Sequence, residues 1–109
     1  MKVLYFASGT FGLKTLEALA QSQHELLACI TTPDKPQGRG KKLTASPVKD
    51  LARKLDVKTL TPTDPNDEES LKEFKDYGAD VFAVVAYGRF LKQPFLDLPP
   101  KGCVNVHPS

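Results

Sequence analysis

The chain has 109 residues, enough for one small domain, and its 40% hydrophobic and 26% charged content is that of a globular protein rather than a disordered one. No apolar run approaches the roughly 18 residues that a membrane-spanning helix needs. The opening MKVLYFASGT has neither a signal-peptide layout nor the Arg/Ser-rich character of a transit peptide, so the expected location is cytoplasmic.

KVLYFA (2–7) reads as a buried strand ending at Ser8-Gly9. Thr10 is expected to cap a helix over 11–21, with Leu13, Leu16, Leu19 and Ala20 as its apolar stripe. ELLACITT (25–32) is the second strand, closed by Pro33. The connection that follows, up to Ser46, is longer than is usual in a compact domain and reads as a loop. Ser46 is a good N-cap with Pro47 at the first helical position, and Val48, Leu51, Ala52 and Leu55 give that helix its inner face. VKTLTP (57–62) is a short, weak strand.

Asp64-Pro65 is expected to open a third helix, with Asp67, Glu68 and Glu69 at its positive end, Leu71, Phe74 and Tyr77 facing inward, and Gly78 ending it. DVFAVVAYG (80–88) is the most apolar strand, as expected where both faces are covered. A short helix near 92–97 leads to a fifth strand in GCVNVH.

Strands alternating with helices at these spacings give an α/β fold, an open doubly wound parallel sheet of Rossmann-like type. Ligands bind such sheets at the carboxyl ends of the strands, which directs attention to 8–12, 32–44, 86–91 and 105–109. The first of these is not a dinucleotide fingerprint, because Gly9 and Gly12 supply only the ending of G-x-G-x-x-G. QGRGKKLT is not a phosphate-binding P-loop either, since Lys35 stands where the first glycine is required. Cys29 and Cys103 are too few for a disulfide framework and fit no metal spacing, so they read as small buried residues and no metal is expected. His24 reads as a surface turn residue.

Two features remain. The net charge of +2 is unevenly distributed: KPQGRGKKLTASPVK (35–49) holds five basic residues and no acidic one, leaving ten basic and thirteen acidic residues elsewhere. Arg39 sits between Gly38 and Gly40, and with Lys41 and Lys42 it presents cations on a segment read as mobile. That arrangement points to an anionic partner, or else to an ordinary solvated loop. In the last strand, alternation places Asn105 and His107 on one face and Val104 and Val106 on the other. An amide and an imidazole converging at a strand's carboxyl end suit an oxyanion and a proton transfer; the competing reading has both merely capping the strand end.

With the loop TTPDKPQGRGKKLTASPVK (31–49), VVAYGRFL (84–91) and GCVNVHPS (102–109) in view, the sequence resembles the methionyl-tRNA formyltransferase family along its whole length. The Gly-Arg-Gly-Lys-Lys loop is the discriminating part, since other 10-formyltetrahydrofolate enzymes share only the Asn-x-His pattern or a variant of it. The resemblance implies a formyltransferase-type fold cut after its fifth strand, with residues 1–109 as the N-terminal part of the catalytic domain. On that view the rest of the catalytic domain and a C-terminal domain are absent, and this fragment alone is inactive. It implies transfer of a formyl group from 10-formyltetrahydrofolate to the α-amino group of methionyl-tRNA, in translation initiation.

By the same resemblance, Asn105 and His107 are catalytic, together with an Asp further on that has no counterpart here. Backbone groups of Gly88, Arg89, Phe90 and Leu91 hold the folate, whose second motif begins at Ser109. Arg39, with Lys41 and Lys42, engages the acceptor end of the tRNA. The full-length enzyme is expected to act as a monomer with no membrane partner. One departure is visible: many relatives read Gly-Thr-Pro-x-Phe after the first strand, where this chain has Ala7-Ser8-Gly9-Thr10-Phe11. The alternatives are a sibling enzyme that formylates an amino sugar or hydrolyses the folate, and a non-catalytic Rossmann-like domain that binds RNA or a nucleotide.

Overall fold

The computed structural model describes residues 1–37, 40 and 42–106. Five parallel strands form the main sheet: β1 (Lys2–Ala7), β2 (Glu25–Ile30), β5 (Thr59–Leu60), β6 (Val81–Val85) and β7 (Cys103–Val106). Their spatial order is β5-β2-β1-β6-β7, with β1 paired in parallel to both β2 and β6. The chain winds outward from β1 in one direction, then returns to β6 and winds outward in the other. The switch point of this doubly wound sheet therefore lies between the carboxyl ends of β1 and β6, where the crossovers diverge and leave a crevice.

The central strand explains the two-layered core. Within β1, Leu4 and Phe6 point to one face and Tyr5 and Ala7 to the other, and all four are fully buried. Phe6 centres an aromatic cluster, its ring 5.0–5.7 Å from those of Phe74, Phe82, Tyr87 and Phe95. This layer is covered by α3 (Glu68–Asp76) and α4 (Gln93–Leu96), which contribute Phe74 and Phe95. On the opposite face, α1 (Leu13–Gln21) and α2 (Pro47–Lys54) bring Leu16, Val48 and Ala52 against Tyr5, Ala7, Cys29 and Val85. Burial pushes the Cys29 thiol up to about 12, so it stays protonated and unreactive.

Several local expectations shift. Thr10 caps nothing: Thr10–Gly12 form one turn of 3-10 helix before α1, with no side-chain cap at either start. Close packing dictates this tight entry, since a Cβ on Gly12 would lie 2.8 Å from both Ala7 Cβ and Tyr5 Oη. The Tyr5 hydroxyl donates to the Gly12 carbonyl at 2.7 Å. Of the expected α1 stripe, Leu13, Leu16 and Leu19 pack inward but Ala20 is exposed. The Ser46 cap is as expected, its Oγ accepting the Lys49 N–H at 3.0 Å with Pro47 opening α2.

Asp64-Pro65 does not open α3. That helix begins at Glu68, with Asp67 as N-cap accepting the Ser70 N–H at 2.8 Å, and it ends at Gly78 with φ +68°. Asp64 instead turns the chain before the helix, accepting the Asn66 N–H at 2.9 Å.

The basic segment is the largest correction. Lys35–Gln37 (β3) and Lys42–Thr44 (β4) pair antiparallel, Lys35 with Thr44, Pro36 with Leu43 and Gln37 with Lys42. The stretch read as loop is a two-stranded ribbon closed by a four-residue connection, 38–41. The entry side is fastened to the start of α2: Lys49 Nζ meets Asp34 Oδ1 at 3.0 Å, and Thr31 Oγ1 and Ser46 Oγ share a hydrogen bond of 2.7 Å.

Candidate active site

The turn after β1 meets the exit of β6 at the switch point. Ser8 N–H donates to the Ala86 carbonyl at 3.3 Å. The Ser8 hydroxyl proton is shared between the carbonyls of Ala86 and Tyr87, at 3.1 and 2.9 Å. Ala86 ends the strand in the left-handed region at φ +50°, and Gly88 follows at φ +77°. An alanine held there costs on the order of 1 kcal/mol or more, so its surroundings must impose it. The Ser8 ties do so together with the Ala86 N–H, which donates to the Val106 carbonyl at 3.4 Å.

Beyond this double turn, Gly88–Leu91 make no backbone-to-backbone hydrogen bond among the described residues. They form the rim of a cleft of about 560 Å³, with Val84, Tyr87 and Leu96 as its apolar wall and Asn105 on the adjoining strand. Asn105 pairs in register with Val84, on the face that carries the aromatic core. Val104 and Val106 turn to the opposite face and are exposed. The alternation read from the sequence thus places Asn105 on the cleft. Gly88, Arg89, Phe90 and Leu91 share that cleft with it, and Phe90 is 81% exposed. Tyr87 is buried, and its hydroxyl has no hydrogen-bond partner among the described residues. Burial pushes its pKa up to about 12, against the opposing charge of nearby Arg89.

His107 and Ser109 lie outside the described residues, as do Arg39 and Lys41. Lys42 is placed on β4, exposed and beside the connection that contains Arg39 and Lys41. A second hollow, of about 430 Å³, lies at the base of the ribbon, between Ser8-Gly9, Thr32, Lys35, Thr44 and the start of α2. Ser8 therefore stands between the two hollows, lining one and holding the rim of the other. Among the described residues no group of three His, Cys, Asp or Glu side chains comes together as a metal site would require.

Sequence reasoning missed one residue of the rim, Asn66. Its side-chain Nδ2 donates to the Phe90 carbonyl at 2.7 Å, and its Oδ1 accepts the Lys92 N–H at 2.8 Å. The signal was present in TDPND: a helix start needs one Asx cap, and two stand side by side, so one is free for other work.

All 109 residues match the family described as "Formyl transferase". The chain belongs to the formyl transferase family. It is 38% identical over 109 residues to the methionyl-tRNA formyltransferase of Ruminiclostridium cellulolyticum, a match covering all of this chain and 35% of that protein. Among solved structures, the phosphoribosylglycinamide formyltransferase of Bacillus halodurans matches with a TM-score of 0.67 at 22% identity, covering 99% of this chain and 56% of that one. The glycinamide ribonucleotide transformylase 1 of Geobacillus kaustophilus also gives 0.67, at 21% identity, covering 99% and 58%. At these identities the solved structures establish the formyltransferase fold and nothing finer. The chain spans about a third of the curated relative's length and little more than half of each solved chain.

Proposed function

We propose that this formyltransferase chain belongs to an enzyme that moves a formyl group from 10-formyltetrahydrofolate to the α-amino group of methionyl-tRNA, for translation initiation in the cytoplasm. The observation that carries this reading is the 38% identity over the whole chain to an enzyme named for that acceptor. The Gly-Arg-Gly-Lys-Lys sequence at 38–42 supports it further.

The cleft suits the folate on its own evidence. A flat heterocycle with amide-like edges needs apolar walls and unengaged backbone groups at the rim. Val84, Tyr87 and Leu96 supply the former and Gly88–Leu91 the latter. The bound folate supplies the formyl carbon that the amine attacks. Asn105 donates from its side-chain amide to the formyl oxygen as that oxygen gathers negative charge, a contribution of about 2.7–4 kcal/mol where such a hydrogen bond is lost. His107 stands two residues after Asn105 in the sequence. In this reading it stabilises the same charge and moves the proton from the attacking amine to the folate nitrogen, which leaves as its bond to the formyl carbon breaks, an effect of roughly 10²–10⁴. Ser109 opens the next folate contact. Arg39, Lys41 and Lys42 hold phosphates at the tRNA acceptor end, carried there by the ribbon.

The deciding experiment supplies the full-length protein with 10-formyltetrahydrofolate and compares methionyl-tRNA, glycinamide ribonucleotide and an amino-sugar nucleotide as acceptors. Formylated methionyl-tRNA as the dominant product is expected. Preference for either small acceptor would transfer the assignment to a sibling enzyme, and folate hydrolysis without any acceptor would make it a hydrolase.

A further inference from the structure

We propose that Asn66 is a positioning residue for the folate cleft, acting through the backbone of Phe90–Lys92; the proposal rests on the assignment of that cleft to the formyl donor. The rim segment leaves β6 through two left-handed residues and does not join the sheet. Ser8 fixes its start at Ala86 and Tyr87. Asn66 fixes its far end, and the form of the contact is informative. A carboxamide that donates to one residue's carbonyl and accepts from the N–H two residues on reproduces one rung of a β-ladder, from a side chain instead of a strand.

This arrangement gives the rim a defined backbone shape while leaving the other donors and acceptors of 88–91 free for a ligand. A real strand in the same place would consume them. The clamp is itself braced: Asp64 accepts the Asn66 N–H, and Pro65 between them is buried. A rim that must present backbone groups to a flat ligand needs holding to within about half an ångström. Free of Asn66, the backbone of Arg89–Leu91 would have no hydrogen bond among the described residues, and that of Lys92 would keep only its carbonyl, which accepts the Phe95 and Leu96 N–H groups of α4 at 3.0 and 3.2 Å. Asn66 is remote from the formyl oxygen in role: it acts on how the folate is held and leaves the acceptor's side untouched.

The test uses the full-length protein with 5-formyltetrahydrofolate, a stable isomer of the donor, as the titrated probe. Asn66→Ala is expected to weaken its Kd roughly tenfold, the scale of one or two lost hydrogen bonds. The same variant should speed amide hydrogen exchange at Lys92. The kcat at saturating donor and the KM for the acceptor should stay at wild-type values. Asn66→Asp keeps an acceptor for the Lys92 N–H and loses the donor to Phe90, so Lys92 stays protected while Kd takes an intermediate value. Being isosteric, it also carries the test should Asn66→Ala fail to fold. Wild-type Kd in both variants would overturn the positioning role even if their melting temperature falls. A wild-type protein that does not bind the probe would instead overturn the assignment of the cleft to folate.

Discussion

The ribbon at 35–44 and the rim at 86–92 both leave the carboxyl edge of the same sheet, yet they are held in different ways. The ribbon pairs with itself, so the backbone groups on the inner edges of its two strands are engaged internally, and its exposed side chains are its main offering. Among the described residues its side-chain fastening is at its base, by an ion pair to α2 and a hydroxyl contact to that helix's N-cap. Beyond Ala86, whose N–H donates to the Val106 carbonyl at 3.4 Å, the rim pairs with nothing in the sheet among the described residues, and side chains from elsewhere, Ser8 and Asn66, hold it at its two ends. What it offers is backbone. A self-paired ribbon bearing cations suits a long, flexible polyanion recognised by charge, whereas a pinned rim with free amides suits a small rigid heterocycle recognised by shape.

The largest effect expected from breaking this division is at the cleft. Asn105→Ala in the full-length enzyme should lower kcat about 10²–10³-fold, with the KM for methionyl-tRNA little changed. Steady-state kinetics with both substrates varied checks this, and an equal loss appearing in the tRNA KM instead would move Asn105 out of the chemistry. At the ribbon, Arg39→Ala should weaken tRNA roughly tenfold and flatten the dependence of log K on log salt by about one unit. Folate affinity should be untouched. A fall in folate affinity would mean that ribbon and rim are one site.

Ser8 tests the boundary between them. Ser8→Ala removes the shared proton that holds the carbonyls of Ala86 and Tyr87, a net loss of about 0.5–1.5 kcal/mol. Calorimetric titration should show this as a threefold to tenfold weaker folate Kd. Because Ser8 also lines the hollow under the ribbon, an equal change in tRNA affinity would show the two hollows to be coupled through the first turn.

How far all this could be read from the sequence depended on which signals are periodic. The main strands were legible because buried parallel strands are near-continuous apolar runs, and α2 because Ser46-Pro47 is a chemically specific start. Asn105 was legible because a strand period of two assigns faces without further information. The ribbon was not: Lys35-Pro36-Gln37 and Lys42-Leu43-Thr44 show no apolar alternation, since neither strand covers a core. Asn66 was hidden for another reason. Its partners Phe90 and Lys92 lie 24 and 26 residues away and take part through backbone atoms, which carry no sequence identity. The start of α3 was misjudged for the same residue, because Asp64-Pro65 and Asp67 are both plausible openings and only tertiary demand on Asn66 chooses between them.

The smallest expected effect bears on the ribbon's fastening. The Asp34–Lys49 pair measures 3.0 Å, but the Asp34 side chain is 36% exposed and that of Lys49 15%, so water competes for the charges. Asp34→Asn should therefore lower unfolding stability by less than about 1 kcal/mol, and the loss should shrink further at high salt. The more telling measurement is tRNA affinity in the same variant. Antiparallel pairing within the ribbon is independent of Asp34, so the affinity should change far less than in Arg39→Ala. If Asp34→Asn matches Arg39→Ala, the angle at which the ribbon leaves the sheet matters as much as its charge. The ribbon would then be an aimed element, as the rim is, with the Asp34–Lys49 pair as its counterpart of the Asn66 clamp.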